Sequence, residues 1–168
     1  KLLYGAASPG GGKALTDQTI SEIGSDVPED AYTIPFGKAD IKRAGSDVTI
    51  IATLIMVHRA LAVAGELEKE GISCEVIDPR TLVPLDEETI LQSVRKTNRV
   101  VVATEDVERG GVSAELTSII SRKAFDFLDA PVECVAADNT PIPFGPAAEK
   151  HVIPQMEDIR DAVYRVLK

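Results

Sequence analysis

The feature that most constrains the fold is an alternation of short, mostly apolar runs with longer stretches of helical periodicity. Apolar runs of four or five residues are typical of strands buried on both faces of a sheet. The predicted strands of this kind are Val48–Ala52, Cys74–Ile77, Val100–Ala103 and Val132–Ala136. Four amphipathic helices are predicted beside them. Their buried positions are Val57, Ala60, Leu61, Ala64 and Leu67, before a stop at Gly71; Ile90, Leu91 and Val94, after a cap at Asp86; Leu116, Ile119, Ile120, Ala124 and Phe127, after a cap at Ser113; and Ile159, Ala162, Val163 and Val166.

Strands that alternate with helices predict a mainly parallel sheet with helices on both faces. One more extended segment, Ile34–Ile41, precedes the others and ends in a polar turn at Arg43–Gly45. A turn this short cannot form a parallel crossover, so this first strand must run antiparallel to its neighbour. The expected fold class is therefore α/β, a three-layer α/β/α arrangement. Its mostly parallel sheet has about five strands, the first of them antiparallel.

The 168 residues and a hydrophobic fraction of 44% suffice for one globular domain with a core. The first five residues, Lys1–Gly5, look like the end of a preceding domain in a longer protein. Ala6–Asp30 contains three consecutive glycines and little periodicity, which favours a flexible linker over a phosphate-binding loop, because the Gly and Lys spacing of that loop is absent. We therefore expect residues 1–31 to be the end of a preceding domain plus a linker, and 32–168 to be the domain proper.

A formal net charge of −9 argues against nucleic acid or an anionic membrane as a partner and favours a basic protein. No apolar run approaches the roughly 20 residues of a membrane span. Cys74 and Cys134 both occur in strand-like runs without a framework of spaced cysteines, so we expect reduced thiols in an intracellular protein.

Polar side chains follow three of the predicted parallel strands, where an open sheet of this type binds ligands. His58 follows the first, Arg80 the second and Glu105 the third. Together they could bind a small anion or serve as acid and base. A purely structural alternative is that His58 caps or pairs, that Asp78 makes a local turn bond, and that Arg80 pairs with Glu105. The histidines and cysteines show no metal-ligand spacing, and neither a nucleophile elbow nor a dinucleotide motif is present.

Two proline-rich segments stand out. Val76–Asp86 closes a strand, makes a stiff turn and caps the next helix. Asp138–Pro146 contains three prolines within six residues, which favours a rigid extended path. That path is compatible with a return loop over the sheet edge and equally with a contact to another subunit.

These segments, in this order, resemble the C-terminal domain of the beta subunit of thiamine-diphosphate-dependent 2-oxoacid dehydrogenases of the pyruvate and acetoin type. The matching pieces are Ile34–Asp40, Met56–His58, Val76–Asp86, Leu128–Pro131 and Asn139–Phe144. The resemblance implies an enzyme with two alpha and two beta subunits that decarboxylates a 2-oxoacid, or cleaves acetoin, and transfers the acyl group to a lipoyl arm. It also implies that thiamine diphosphate and Mg²⁺ are bound by other parts of that enzyme, so no catalytic residue is assigned in this chain.

In that family the domain holds beta subunits together and, in bacteria, docks the small basic subunit-binding domain of the dihydrolipoyl acyltransferase. The resemblance implies that docking uses Asp129 and the carboxylate of Lys168, with Phe125 beside Asp129 and Asp126 in the same acidic helix end. Two alternatives remain: a small-anion regulatory site at His58, Arg80 and Glu105, and the same domain from a transketolase or deoxyxylulose-phosphate synthase. A cytoplasmic location is expected.

Overall fold

The computed structural model describes residues 30–168, and the compact unit that contains every helix and strand of those residues extends from Phe36 to Lys168. The predicted preceding-domain end and linker at residues 1–31 lie outside the described residues, apart from the last two. The sheet has five strands in the order β1-β3-β2-β4-β5. The strands are β1 (Asp40–Arg43), β2 (Val48–Ala52), β3 (Cys74–Asp78), β4 (Val100–Val107) and β5 (Glu133–Ala137).

Strand β1 pairs antiparallel with β3, and every other neighbouring pair is parallel. The mostly parallel five-stranded sheet with an antiparallel first strand is therefore confirmed. The predicted extent of the first strand was wrong, because it begins at Asp40 and not at Ile34. In the register with β3, Asp40 lies opposite Asp78, the last residue of that strand, so the chain before it has no strand to pair with.

The described residues contain five α-helices, and four of them cover the two faces of the sheet. They are α1 (Ile55–Leu67), α2 (Glu87–Thr97), α3 (Val112–Ala124), α4 (Pro146–Val152) and α5 (Met156–Val166). Short 3-10 turns follow α1 and α3. Helices α1 and α5 pack on one face against Ile50, Val76 and Val101, whereas α2 and α3 pack on the other against Ile51 and Val102. Adjacent strand residues face opposite sides, so each strand supplies both cores.

Three local predictions need correction. Helix α3 begins after Gly111, which is its N-cap, so Ser113 is a buried residue of the first turn and not the cap. The helix ends at Ala124, so Phe127 lies in the following 3-10 turn with 43% of its surface exposed and is not part of the helix core. Helix α4 was missed, although Gly145-Pro146 is a helix-start signal.

Asp86 is the N-cap of α2 as predicted, and its carboxylate accepts a hydrogen bond from the backbone N–H of Thr89. Both cysteines are free thiols in the structure. Cys74 is fully buried, and burial, together with the nearby Asp47 carboxylate, raises its pKa to about 11. Cys134 is only half-buried.

Candidate functional site

The strand order reverses between β2 and β4, and the carboxyl ends of β2, β3 and β4 meet there. A cleft of about 250 Å³ opens at this point, which is where ligands bind in open α/β sheets. We call it the switch-point cleft. It is lined by Thr53, Leu54, Asp78, Pro79, Arg80, Leu82, Glu105, Asp106 and Val112. Arg80 and Glu105 thus line one cleft as predicted from the sequence, whereas His58 is not among its lining residues.

Arg80 has a left-handed backbone, with φ of 59°. Its backbone N–H donates to Asp78 Oδ1 at 2.9 Å, which is the predicted local turn bond of Asp78. Its guanidinium pairs with Asp40 Oδ2 on β1 at 2.6 Å, so the ion pair forms with Asp40 and not with Glu105. The hydrogen bond from Lys42 and the two nearby cations outweigh burial and hold the pKa of Asp40 below its usual value. Arg80 therefore ties the turn after β3 to the edge strand.

The carboxylates of the cleft also serve the backbone. Glu105 Oε2 accepts a hydrogen bond from the N–H of Ile55 at 3.3 Å, at the first residue of α1. Asp106 Oδ2 accepts from the N–H of Val112 at the start of α3. The chain passes so close to itself that a Cβ on Gly111 would lie 2.1 Å from the carbonyl oxygen of Val107. The N-terminus of α3, a place where an anion would otherwise bind, is thus occupied by the protein's own carboxylate.

The charge around the cleft is mainly negative, because Arg80 is accompanied by Asp78, Glu105 and Asp106. His58, on α1, has a pKa lowered by burial and by the nearby cation Lys42, against the opposing effect of Asp78. The lowered pKa makes the positively charged form of His58 less favourable than in a free histidine. The charged side chains of the switch-point cleft thus mainly hold its loops in place. Among the described residues that line the cleft, the one cation that an anion would find, Arg80, is already paired with Asp40.

The described residues do not fit thiamine diphosphate with its Mg²⁺. A metal-bound diphosphate needs several oxygen ligands and backbone N–H groups around one point. Within residues 30–168, no group of three histidine, cysteine, aspartate or glutamate side chains is placed to hold a metal ion. We therefore derive no catalytic step through that cofactor in this domain.

The second candidate surface is at the opposite, amino edge of the sheet and is formed by Phe125–Asp129, which we call the 125–129 segment. Phe125 is 72% exposed, and Asp126 is exposed beside it. The segment is fastened to the end of α2, since Asn98 Nδ2 donates to the carbonyl of Phe127 at 2.6 Å and the N–H of Asp129 donates to the carbonyl of Asn98 at 2.9 Å. An aromatic ring and two carboxylates are thus presented on a well-anchored backbone.

Two arginines that sequence reasoning missed lie against this segment. Arg99 pairs with Asp129 Oδ2 at 3.0 Å, and the Arg95 guanidinium lies 5.4 Å from the centre of the Phe127 ring. The pairs join residues 30 and 32 positions apart, so local spacing carries no signal of them. The expected packing of α2 beside α3 on one face of the sheet is the signal that could have indicated these contacts.

Lys168 follows α5, which returns to the same amino edge. Arg165 in its last turn pairs with Glu133 Oε2, at the first residue of β5, at 2.7 Å. Lys168 itself is exposed and borders a shallow groove with Tyr164 and Leu167. The topology therefore brings Lys168 and Asp129 to one edge of the domain, as the docking hypothesis requires.

The carboxyl edge also carries exposed apolar side chains in several loops. They are Phe36, Leu54, Leu82, Val83, Ile142 and Phe144. Leu54 has φ of 52°, an unfavourable conformation for a leucine, so the surrounding loops must enforce it. Large exposed apolar residues that cluster at one edge are typical of a surface buried in an assembly.

The fold and its switch-point cleft define an open three-layer α/β domain, and within residues 30–168 no helix has the length and apolarity to cross a membrane. Residues 37–159 match the sequence model of the family described as "Transketolase, C-terminal domain". The chain belongs to this family.

Full-length relatives are similar over most of this chain. It is 42% identical over 151 residues to the "Acetoin:2,6-dichlorophenolindophenol oxidoreductase subunit beta" of Bacillus subtilis, covering 90% of this chain and 44% of the relative. It is 48% identical over 141 residues to the "Pyruvate dehydrogenase E1 component subunit beta" of Rickettsia felis, covering 84% and 43%. The chain therefore spans less than half the length of these relatives.

A solved structure is similar as well. The chain named "Split gene transketolase, inactive beta4 tetramer" superposes with a TM-score of 0.71 at 31% identity, over 85% of this chain and 45% of that one. The predicted resemblance to beta subunits of pyruvate- and acetoin-type enzymes is confirmed by these comparisons, and so is the transketolase C-terminal-like fold.

Proposed function

We propose that this chain is the C-terminal assembly and docking domain of the beta subunit of a pyruvate dehydrogenase first component. The whole enzyme would be a cytoplasmic heterotetramer with an alpha subunit and a second beta subunit. With thiamine diphosphate and Mg²⁺ bound by its other parts, it would decarboxylate a 2-oxoacid and transfer the acyl group to a lipoyl arm. The names of the relatives support this assignment. The exposed apolar carboxyl edge is the surface that we assign to the other subunits.

The observation that carries the docking role is the 125–129 segment. It presents an exposed ring, Phe125, together with the acidic groups Asp126 and Asp129, on a chain of net charge −9. A small basic domain, such as the subunit-binding domain of a dihydrolipoyl acyltransferase, is complementary to it in charge. Complementary charge both accelerates encounter and sets orientation, and an aromatic anchor supplies contact area. Lys168, at the same edge, completes the proposed surface.

Asp129→Lys is expected to weaken binding of a bacterial acyltransferase subunit-binding domain at least about 10-fold, because it places a cation where the basic partner needs an anion. The measurement is titration calorimetry with the purified chain. Glu108→Lys is the matched control, since it makes the same charge change at an exposed position of the carboxyl edge. An equal loss of affinity in both variants would show that only the net charge of the chain matters. An unchanged affinity for Asp129→Lys would contradict the docking role.

The substrate separates two versions of this proposal. An acetoin dehydrogenase beta subunit is the alternative, because relatives of both names cover the chain at similar identity. Activity of the reconstituted whole enzyme on pyruvate, acetoin and branched-chain 2-oxoacids would decide between them. A neighbouring alpha-subunit gene would separate both from a transketolase or a deoxyxylulose-phosphate synthase.

A small-anion regulatory site is the second candidate function, favoured by a cleft at the switch point that contains Arg80 and Glu105. An anion there would compete with Asp40 for Arg80, and His58 would act from the adjacent helix. If the site exists, phosphate, a nucleotide or a carboxylate should raise the thermal midpoint of the chain, and Arg80→Gln should abolish that rise while Arg109→Gln preserves it. No shift with any of these ligands would count against the site.

A further inference from the structure

The docking surface of the free chain is partly neutralised by its own arginine. Arg99 and Asp129 form an ion pair, with 3.0 Å between Nη2 and Oδ2, in which the Asp129 side chain remains 55% exposed. The pair is half open to solvent, so a competing cation can reach the carboxylate. An ion pair this exposed is weak and readily exchanged.

The position of Arg99 is set by its backbone rather than by its side chain. Its carbonyl oxygen accepts a hydrogen bond from the N–H of Thr49 on β2 at 2.8 Å and another from the Thr97 hydroxyl at 3.2 Å. Replacing the Arg99 side chain therefore removes the guanidinium but keeps both hydrogen bonds to the backbone carbonyl, so the start of β4 should stay in place. Arg95, in the last turn of α2, lies over the Phe127 ring and so offers a matched positive charge against the same 125–129 segment.

We propose that Arg99 competes with the basic partner for the docking surface: its guanidinium occupies the Asp129 carboxylate in the free chain and must be displaced when the partner binds. This inference rests on the docking function proposed above. A partner with a cationic side chain opposite Asp129 replaces the guanidinium and repels it from the interface. Arg99 thus lowers the affinity for a partner that binds through the Asp129 carboxylate, and removing the guanidinium should restore that affinity.

The test is a double-mutant cycle on the whole chain, with the acyltransferase subunit-binding domain as the probe and titration calorimetry as the readout. Arg99→Gln is expected to tighten binding about 5-fold, and Asp129→Asn to weaken it about 10-fold. In the Asp129→Asn background, Arg99→Gln should change the affinity less than about twofold, because the carboxylate for which Arg99 and the partner compete is gone. Arg95→Gln should likewise stay within about twofold. Circular dichroism of each variant establishes that it is folded.

The outcomes separate the two proposals. Weaker binding by Arg99→Gln would overturn the inference, since it would make Arg99 a positioning residue for Asp129. An equal gain with Arg95→Gln, or a gain that persists in the Asp129→Asn background, would also overturn it, because general charge repulsion would then suffice. If Asp129→Asn does not weaken binding at all, the docking function itself fails, and the role of Arg99 fails with it.

Discussion

Replacing Lys96 by Met is expected to lower the free energy of unfolding by about 3 kcal/mol, because it leaves a buried carboxylate without its counter-ion. Glu75, on β3, is almost fully buried and pairs with the Lys96 ammonium, whose own side chain is half exposed. The same carboxylate accepts a hydrogen bond from the Ser93 hydroxyl and one from the N–H of Gly45 at 3.3 Å. Those two bonds survive the substitution, but they do not replace the lost charge.

Urea unfolding at neutral pH measures this effect. Lys69→Met, at an exposed position in the turn after α1, is the matched control and should change stability by less than about 0.5 kcal/mol. The double variant Glu75→Gln/Lys96→Met should recover most of the loss, since a neutral amide remains hydrogen-bonded without a buried charge. A loss in the double variant as large as in Lys96→Met would show that packing of the lysine stem, and not its charge, is responsible.

Asp86→Ala is expected to lower the free energy of unfolding by about 2–3 kcal/mol, because the Asp86 carboxylate accepts hydrogen bonds from two separate parts of the fold. Its oxygens accept from the N–H and the hydroxyl of Thr89 at the start of α2, and from the N–H of Ala39, just before β1, at 3.0 Å. The alanine would leave the helix without its cap and the Ala39 N–H without its acceptor.

The same carboxylate predicts a dependence on pH. Burial alone would raise the pKa of Asp86, but the hydrogen bonds from Ala39 and Thr89 together outweigh it, so the pKa lies below the ordinary value of 3.8. Its contribution to stability is thus complete well above pH 3.8 and is lost as the pH falls through 3.8 to the lower folded-state value. Asp86→Asn, measured by urea unfolding down to about pH 2.5, should show a flatter decline than the wild type. Parallel declines for the two proteins would show that other carboxylates dominate.

Most of the architecture was predictable, because its signals are local. The run Val48–Ala52 is buried throughout, as a strand covered on both faces must be, and Asp86 caps α2. The antiparallel direction of the first strand followed from the short turn that leads out of it. The segment Val76–Asp86 indicated the family correctly, and its main role in the domain is structural: Asp86 and Arg80 tie the turn to α2 and β1.

The candidate sites were predictable only in part. Arg80 and Glu105 meet in one cleft because parallel strands bring their carboxyl ends to one edge, and that rule can be applied to the sequence alone. The choice of Asp40 over Glu105 as the partner of Arg80 depends on where β1 lies, and β1 was placed six residues too early. The prediction of Ser113 as a helix cap was wrong, because the close approach of the backbone at Gly111 makes α3 begin after that residue.

By itself, the sequence determined the α/β class, the strand direction, the family and the edge at which each polar group lies, since these follow from periodicity and from motifs a few residues long. The tertiary structure alone decided which charges neutralise each other: Arg80 with Asp40, Lys96 with Glu75, and Arg99 with Asp129. Each of these pairs joins residues at least 21 positions apart. Ion pairing depends on distances of a few ångströms between side chains, and those distances exist only after the helices have packed on the sheet.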